Sequence, residues 1–254
     1  MTGMLLTQLI PDTLARADIG TPEGRRWLDE VYAPPTGPFV RLNMITSLTG
    51  AAAGADGTSD TLSSRIDRTV LGCIRATADV VLVGAQSVRV EGYVVPRRTR
   101  LAIVTSSGRL DGSALADGGR AAREADRVLL VAPTEAERAV RATADRLGAR
   151  VLLVGARAPL SPPAVLAALA AEGCTRVVCE GGPSLATQLA AHDVIDEYCV
   201  TVAPRLEPAS APFVGIDDAH RPDTVVAGLL VDGAGFSYLR LGCRGSARDR
   251  RAIR

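Results

Sequence analysis

Two kinds of stretch alternate along the chain: short, nearly continuous apolar runs, and longer segments whose apolar residues recur every three or four positions. Phe39–Thr46 is the first clear run, filled mostly by Phe39, Val40, Leu42, Met44 and Ile45. Asp79–Gly84, Arg100–Thr105, Arg127–Ala132, Arg150–Gly155 and Arg176–Cys179 repeat the form. Runs this short, without polar alternation, predict strands buried on both faces. Between the first two, Ile66, Val70, Cys73, Ile74 and Thr77 share one helical face. Ser63 or Ser64 is placed to cap that helix, and Asp67 sits in the first turn, where the helix dipole favours a carboxylate. Further helices are predicted near 134–147, 161–173 and 183–191. Strand–helix alternation of this kind predicts an α/β fold of three layers, a mostly parallel central sheet covered by helices on both faces. Glu197–Ala203, Thr224–Val231 and Phe236–Leu241 follow with no helical stretch between them, so antiparallel C-terminal strands are expected to complete the sheet.

A chain of 254 residues that is 47% apolar can bury one substantial core. No long Gly/Ser/Pro linker divides it, so one domain is expected over 38–242. Residues 1–37, with Trp27, Tyr32 and the Pro34–Pro35 pair, read as an extension packed outside that domain. Residues 243–254 are basic, lack apolar periodicity and are expected to be a flexible tail. The stretch from Ser47 to Asp60 is built from Gly, Ala, Ser, Thr and Asp, with Leu48 its one large apolar residue. It reads as a long loop, and a loop of that length in a compact domain is usually functional or disordered.

Charge removes several function classes. A formal net charge of +1 offers nothing to draw nucleic acid or an anionic membrane. Every basic side chain other than histidine is Arg, which excludes Schiff-base lysines and the Lys-containing phosphate loop. Cys73, Cys174, Cys179, Cys199 and Cys243 include no C-x-x-C pair, and their odd number argues against a disulfide framework. The two histidines, His192 and His220, stand apart from any metal-like cluster, so no metal is expected. The apolar residues at Met4–Leu6 and Leu9–Ile10 stop at Pro11, too early for a signal peptide. Ala164–Ala171, the longest apolar helical stretch, is too short to span a bilayer. A cytoplasmic chain is expected.

Ligands of open parallel sheets bind at the carboxyl ends of the strands, and three such ends carry chemistry here. Val178–Leu185 runs from a strand into Gly181 and Gly182, with Pro183 where a helix would start. Exposed amides at such a turn suit a diphosphate, but the same residues also fit an ordinary turn with a solvated Glu180 and no ligand. Gly84 closes a second strand ahead of Ser87, Arg89 and Glu91, which also fit a helix start with a solvated Arg/Glu pair. Val104–Arg109 is rich in hydroxyls and ends on Arg, which suits a ribose 2′-phosphate held by Arg109 or Ser106, or a plain turn. No G-x-G-x-x-G follows the first strand, so a dinucleotide would have its diphosphate late in the chain, at Gly181–Gly182.

Taken in order, F-V-R-L-N-M-I-T-S-L-T-G (39–50), the Ser59-x-x-x-Ser63 loop, I-R-A-T-A-D-V-V-L-V-G-A-Q-S-V-R-V-E-G-Y (74–93) and C-E-G-G-P-S-L (179–185) resemble the reductase domain of bacterial riboflavin-biosynthesis deaminase–reductases. The resemblance covers roughly 38–242. It implies a dihydrofolate-reductase-like fold, a homodimer, and NADPH-dependent reduction of the ribosyl group of an aminopyrimidine phosphate to a ribityl group. It places substrate at Asn43, Ser63, Arg75, Glu91 and Glu180. The two glutamates would act at the reacting end and Arg75 on the phosphate. It places NADPH along Ser47, Gly84, Ser87, Thr105 and Ser106, then Gly181, Gly182, Ser184 and Leu185. Two departures stand out: the family's S-L-D-G is Ser47-Leu48-Thr49-Gly50, and Asn43 replaces a common Lys. They leave open a same-fold reductase of another heteroaromatic or dihydrofolate-like substrate, or a non-catalytic NADPH-binding protein. No H-x-E…P-C-x-x-C pattern of a zinc deaminase occurs in the sequence.

Overall fold

The computed structural model describes residues 3–115, 125–208 and 212–244. Its strands are β1 (Leu5–Ile10), β2 (Arg16–Asp18), β3 (Phe39–Ser47), β4 (Val80–Gly84), β5 (Arg100–Val104), β6 (Val128–Ala132), β7 (Arg150–Leu153), β8 (Arg176–Cys179), β9 (Glu197–Ala203), β10 (Thr224–Asp232) and β11 (Ser237–Cys243). The helices are α1 (Pro22–Val31), α2 (Arg65–Ala76), α3 (Ala85–Val90), α4 (Glu137–Leu147), α5 (Pro162–Ala171) and α6 (Pro183–Ala190). The strands form one sheet in the order β2-β1-β10-β11-β9-β3-β8-β4-β5-β6-β7. From β9 to β7 neighbours run parallel, and from β9 to β2 they run antiparallel. The mixed sheet expected from the apolar pattern is therefore present. The hairpin β1–β2 extends it past the C-terminal strands, because β1 takes up the free backbone edge of β10.

Burial on both faces explains the continuous apolar runs. On β4, Val80 and Leu82 pack with Val165 and Leu169 of α5 and Ala186 and Leu189 of α6. Val81 and Val83, the alternate residues, pack on the other face with Val88 of α3 and Val140 and Leu147 of α4. Farther along that second face, α1 and α2 contribute Leu28, Val70 and Ile74 against Val178, Cys199 and Tyr238. Ser64 caps α2, its side chain accepting from the Asp67 amide at 3.0 Å. Gly148 ends α4 in the left-handed region at φ +67°, which glycine adopts without Cβ strain.

A buried ionic cluster joins the N-terminal segment to the sheet. Arg41 of β3 donates to Glu197 Oε2 at 2.6 Å, and Arg240 of β11 donates twice to Oε1 at 2.9 and 2.7 Å. The side chains of Arg41 and Glu197 are 1% and 5% exposed. Two guanidiniums on one carboxylate leave a positive excess. The C-terminus of α1 offsets it, since Arg41 donates to the Tyr32 carbonyl and Arg240 to the Val31 carbonyl. Those carbonyls carry the negative end of the helix dipole, and α1 has no basic residue of its own in its last turn.

All five thiols are free. Burial pushes Cys73 and Cys179 up to about 12, which keeps both as unreactive thiols at neutral pH. Native protein at pH 8 should release aromatic thiolate from a disulfide reagent slowly, and all five thiols should react at once in urea. Rapid reaction of more than one thiol in the folded state would contradict this packing. Of the basic tail, residues 245–254 lie outside the described residues.

Candidate active site

A cleft of about 1500 Å³ opens over the carboxyl ends of β3, β4, β5 and β8. That is where parallel strands release their chain into turns and helix starts, exposing backbone and short polar side chains. The loop after β3 forms one wall. It is ordered around Asp56, whose carboxylate accepts from the Thr58 amide at 2.9 Å and hydroxyl at 2.8 Å. Glu91, the C-cap of α3, pins this wall in place. Its carboxylate accepts the Ser59 amide at 3.1 Å and the Ser59 hydroxyl at 2.9 Å.

On the floor, three distant parts of the chain meet. Arg75, in the last turn of α2, donates from Nε to Glu180 Oε1 at 2.8 Å and from Nη2 to Oε2 at 2.5 Å. Tyr93, just past α3, donates its hydroxyl to the same Oε2, and the Arg75 guanidinium lies 5.6 Å from the Tyr93 ring centre. The Glu180 side chain is 4% exposed and that of Arg75 27%. Burial alone would pull the guanidinium down, but the Glu180 hydrogen bonds and charge outweigh it and leave Arg75 raised and firmly cationic. Burial, reinforced by the Glu180 charge, pushes the Tyr93 phenol well up, so it remains a donor. The fork is a charge-assisted, bidentate pair held in register by a third group.

Asn43 and Ser63 border the same cleft. The Ser63 hydroxyl donates to buried Asp67 at 2.7 Å, and burial raises the Asp67 carboxyl. At the end of β4, a Cβ added to Gly84 would meet open space. Ser87 accepts the Gly182 amide at 3.0 Å, which ties the start of α3 to the start of α6. A Cβ on Gly181 would come within 2.6 Å of Leu185 Cδ2, so the Leu185 side chain would have to shift to admit one. Ser184 and Leu185 line the cleft from the first turn of α6, whose N-cap Gly182 supplies no side-chain cap. At the end of β5, Thr105 is buried and accepts the Gly108 amide at 2.9 Å, while Ser106 is exposed; both border the cleft.

Ser47 is one of two candidates that do not border the cleft. It is buried, and its hydroxyl accepts the Ala51 amide at 3.0 Å and contacts Thr49 Oγ1 at 2.8 Å. Thr49 in turn accepts the Glu207 amide at 3.0 Å, so this turn is tied to the segment after β9. Arg109 also stands outside the cleft lining. Among the described residues, no group of three or more His, Cys, Asp and Glu could hold a metal ion, and no helix is long and apolar enough to cross a membrane.

Residues 38–207 match the family described as the RibD C-terminal domain. The chain belongs to that family. All of the candidate site residues fall within the matched span, whereas α1, β1, β2, β10 and β11 flank it. The riboflavin biosynthesis protein RibD of Mycobacterium tuberculosis is 31% identical over 195 residues, covering 76% of this chain and 49% of the relative. The chain thus spans about half the length of the curated relatives it matches. A pyrimidine reductase-like protein from Corynebacterium diphtheriae superposes with a TM-score of 0.69 at 24% identity, over 82% of this chain and 92% of that one. The riboflavin biosynthesis reductase Rib7 of Saccharomyces cerevisiae gives 0.60 at 16% identity, over 86% and 98%. Both likenesses show a shared fold.

Within this RibD C-terminal domain, sequence reasoning placed Arg75 and Glu180 in the site but not on each other. It leaves out Tyr93, whose motif position is visible but whose partner is not, and it leaves Arg89 open between a strand-end site residue and a solvated helix residue; Arg89 is exposed. Arg89 lines the cleft beside Ser106 and Ser107, and its Nη1 donates to the Arg109 carbonyl at 3.2 Å.

Proposed function

We propose that the chain is an NADPH-dependent reductase that converts a ribosylaminopyrimidine phosphate to its ribityl form, the reductase step of riboflavin biosynthesis. The observation that carries this reading is the Arg75–Glu180–Tyr93 cluster on the floor of a strand-end cleft inside the family span. NADPH, when bound, supplies the hydride. The residues present suit it: Gly84 leaves room for close approach, and the start of α6 offers a backbone end with no side-chain cap. Ser87 accepts from Gly182 and so keeps its own proton to donate toward a phosphate oxygen.

The substrate half follows from donor and acceptor accounting. Arg75 spends Nε and Nη2 on Glu180 and Tyr93, which leaves Nη1 for a phosphate oxygen. Glu180 Oε2 is occupied by two donors, while Oε1 takes one and keeps a lone pair for a ligand N–H or O–H. Glu91 positions the loop wall through Ser59 and retains acceptor capacity toward the substrate amino and hydroxyl groups. Burying the reacting carbon between these groups excludes water from the reduction.

The protein would work in the cytoplasm as a homodimer. Support for the dimer comes from the sheet face opposite α1 and α2. There Ile10, Leu229 and Leu239 align across β1, β10 and β11, and neighbouring Val226 is 48% exposed. Thr49, tied to Glu207 where the resemblance expects a carboxylate, leaves a second reading in play, a same-fold reductase of another heteroaromatic or dihydrofolate-like substrate or a non-catalytic NADPH-binding protein. Thermal unfolding with NADPH and with NADH tests cofactor use first. Ligand at 100 times its dissociation constant adds about 2.7 kcal/mol to stability, and no shift with either cofactor would sink the reductase reading. NADPH oxidation assayed with the ribosylaminopyrimidine phosphate and with dihydrofolate side by side then separates the two substrates.

A further inference from the structure

Carboxylates outnumber guanidiniums along the cleft: Asp56, Asp60, Asp67, Glu91 and Glu180 face Arg68, Arg75 and Arg89. Two of those three cations are already neutralised, Arg68 by Asp60 at 2.7 Å and Arg75 by Glu180. Arg89 is the cleft arginine without a carboxylate partner among the described residues; there its side chain makes one hydrogen bond, to the Arg109 carbonyl. A doubly charged phosphate entering this negative cleft is repelled elsewhere and attracted where an unneutralised cation stands.

Position strengthens the case. Helical side chains lean toward the helix N-terminus, and the N-cap of α3 is Gly84, which pairs with Val104 at the end of β5. The Arg89 side chain is thereby directed back toward the β5 end, where Ser106 and Ser107 offer two exposed hydroxyls on the cleft wall. Its hydrogen bond to Arg109 fixes it to the same turn. One guanidinium and two hydroxyls form a donor set for a phosphomonoester on a ribose. Arg109, the residue its sequence position suggested, contributes a carbonyl that aims Arg89.

We propose that Arg89, with Ser106 and Ser107, holds the 2′-phosphate of NADPH and sets the preference for NADPH over NADH. This rests on the NADPH-dependent reading and names the residue that makes the choice. The test is isothermal titration of wild type, Arg89→Gln, Arg89→Lys and Arg109→Gln with NADPH, NADH and adenosine 2′,5′-bisphosphate. Arg89→Gln should weaken NADPH and the bisphosphate at least tenfold, about 1.4 kcal/mol, and shift NADH less than twofold. Arg89→Lys should recover part of the loss, and Arg109→Gln should resemble wild type. Arg89 is exposed, so the variant is expected to melt like the parent. Unchanged NADPH affinity in Arg89→Gln, or equal losses for NADPH and NADH, would overturn the assignment while leaving the reductase reading standing. Wild type that binds neither dinucleotide would remove both.

Discussion

Glu197→Gln should destabilise the chain by about 3–5 kcal/mol, the usual cost of stranding a buried charge. Among the described residues Glu197 is the carboxylate that pairs with both Arg41 and Arg240; the Arg41 guanidinium lies over the rings of Tyr32 and Phe39, and that of Arg240 over Tyr32. Glutamine keeps the shape and one acceptor but removes the charge, so two cations would face each other with neutral acceptors, the α1 carbonyls and the Thr77 hydroxyl, in place of a carboxylate. Urea unfolding, read by near-ultraviolet dichroism, measures the loss. A companion variant with Met at 41 and 240 and Leu at 197 should recover much of it, since well-packed apolar replacements of buried ion clusters are often neutral or stabilising. A loss under 1 kcal/mol for Glu197→Gln would mean that the cluster is solvated in solution.

The largest functional effect is expected from Arg75→Ala. Its two bonds to Glu180 are charge-assisted, each worth about 1.5–3 kcal/mol. Their loss should lower kcat/KM for the ribosylaminopyrimidine phosphate by at least about a hundredfold, at 1.4 kcal/mol per factor of ten. NADPH affinity should change less than threefold, because Arg75 serves the substrate end in the proposed arrangement. Glu180→Ala should cost a similar amount, and the double variant little more than either single, because the pair acts as one unit. Comparing phosphorylated and dephosphorylated substrate isolates the remaining Nη1. If Arg75→Ala lowers kcat/KM equally for both substrates, the guanidinium does not bind phosphate. Additive losses in the double variant would show that the two side chains work separately.

The apolar pattern by itself determined the layered α/β architecture. A strand covered on both faces needs apolar residues at every position, and Val80–Val83 and Val128–Val131 show this locally. Strand ends could be read for the same reason, because Gly84 and the Gly181–Gly182 pair interrupt apolar runs where the chain must turn. The loop after β3 was visible as small and polar, but only its ordering against Glu91 made it a wall of the cleft. Pairings between distant residues left no local trace. Arg75 and Glu180 are 105 positions apart and Arg41 and Glu197 156 apart, and a charged residue reads alike whether it meets water or a buried partner. The same limit hid the use of β1 and β2 as sheet strands and the choice of Arg89 over Arg109. Periodicity records how much of a residue is buried. Tertiary packing decides what it is buried against, and the chemistry of this cleft depends on the second.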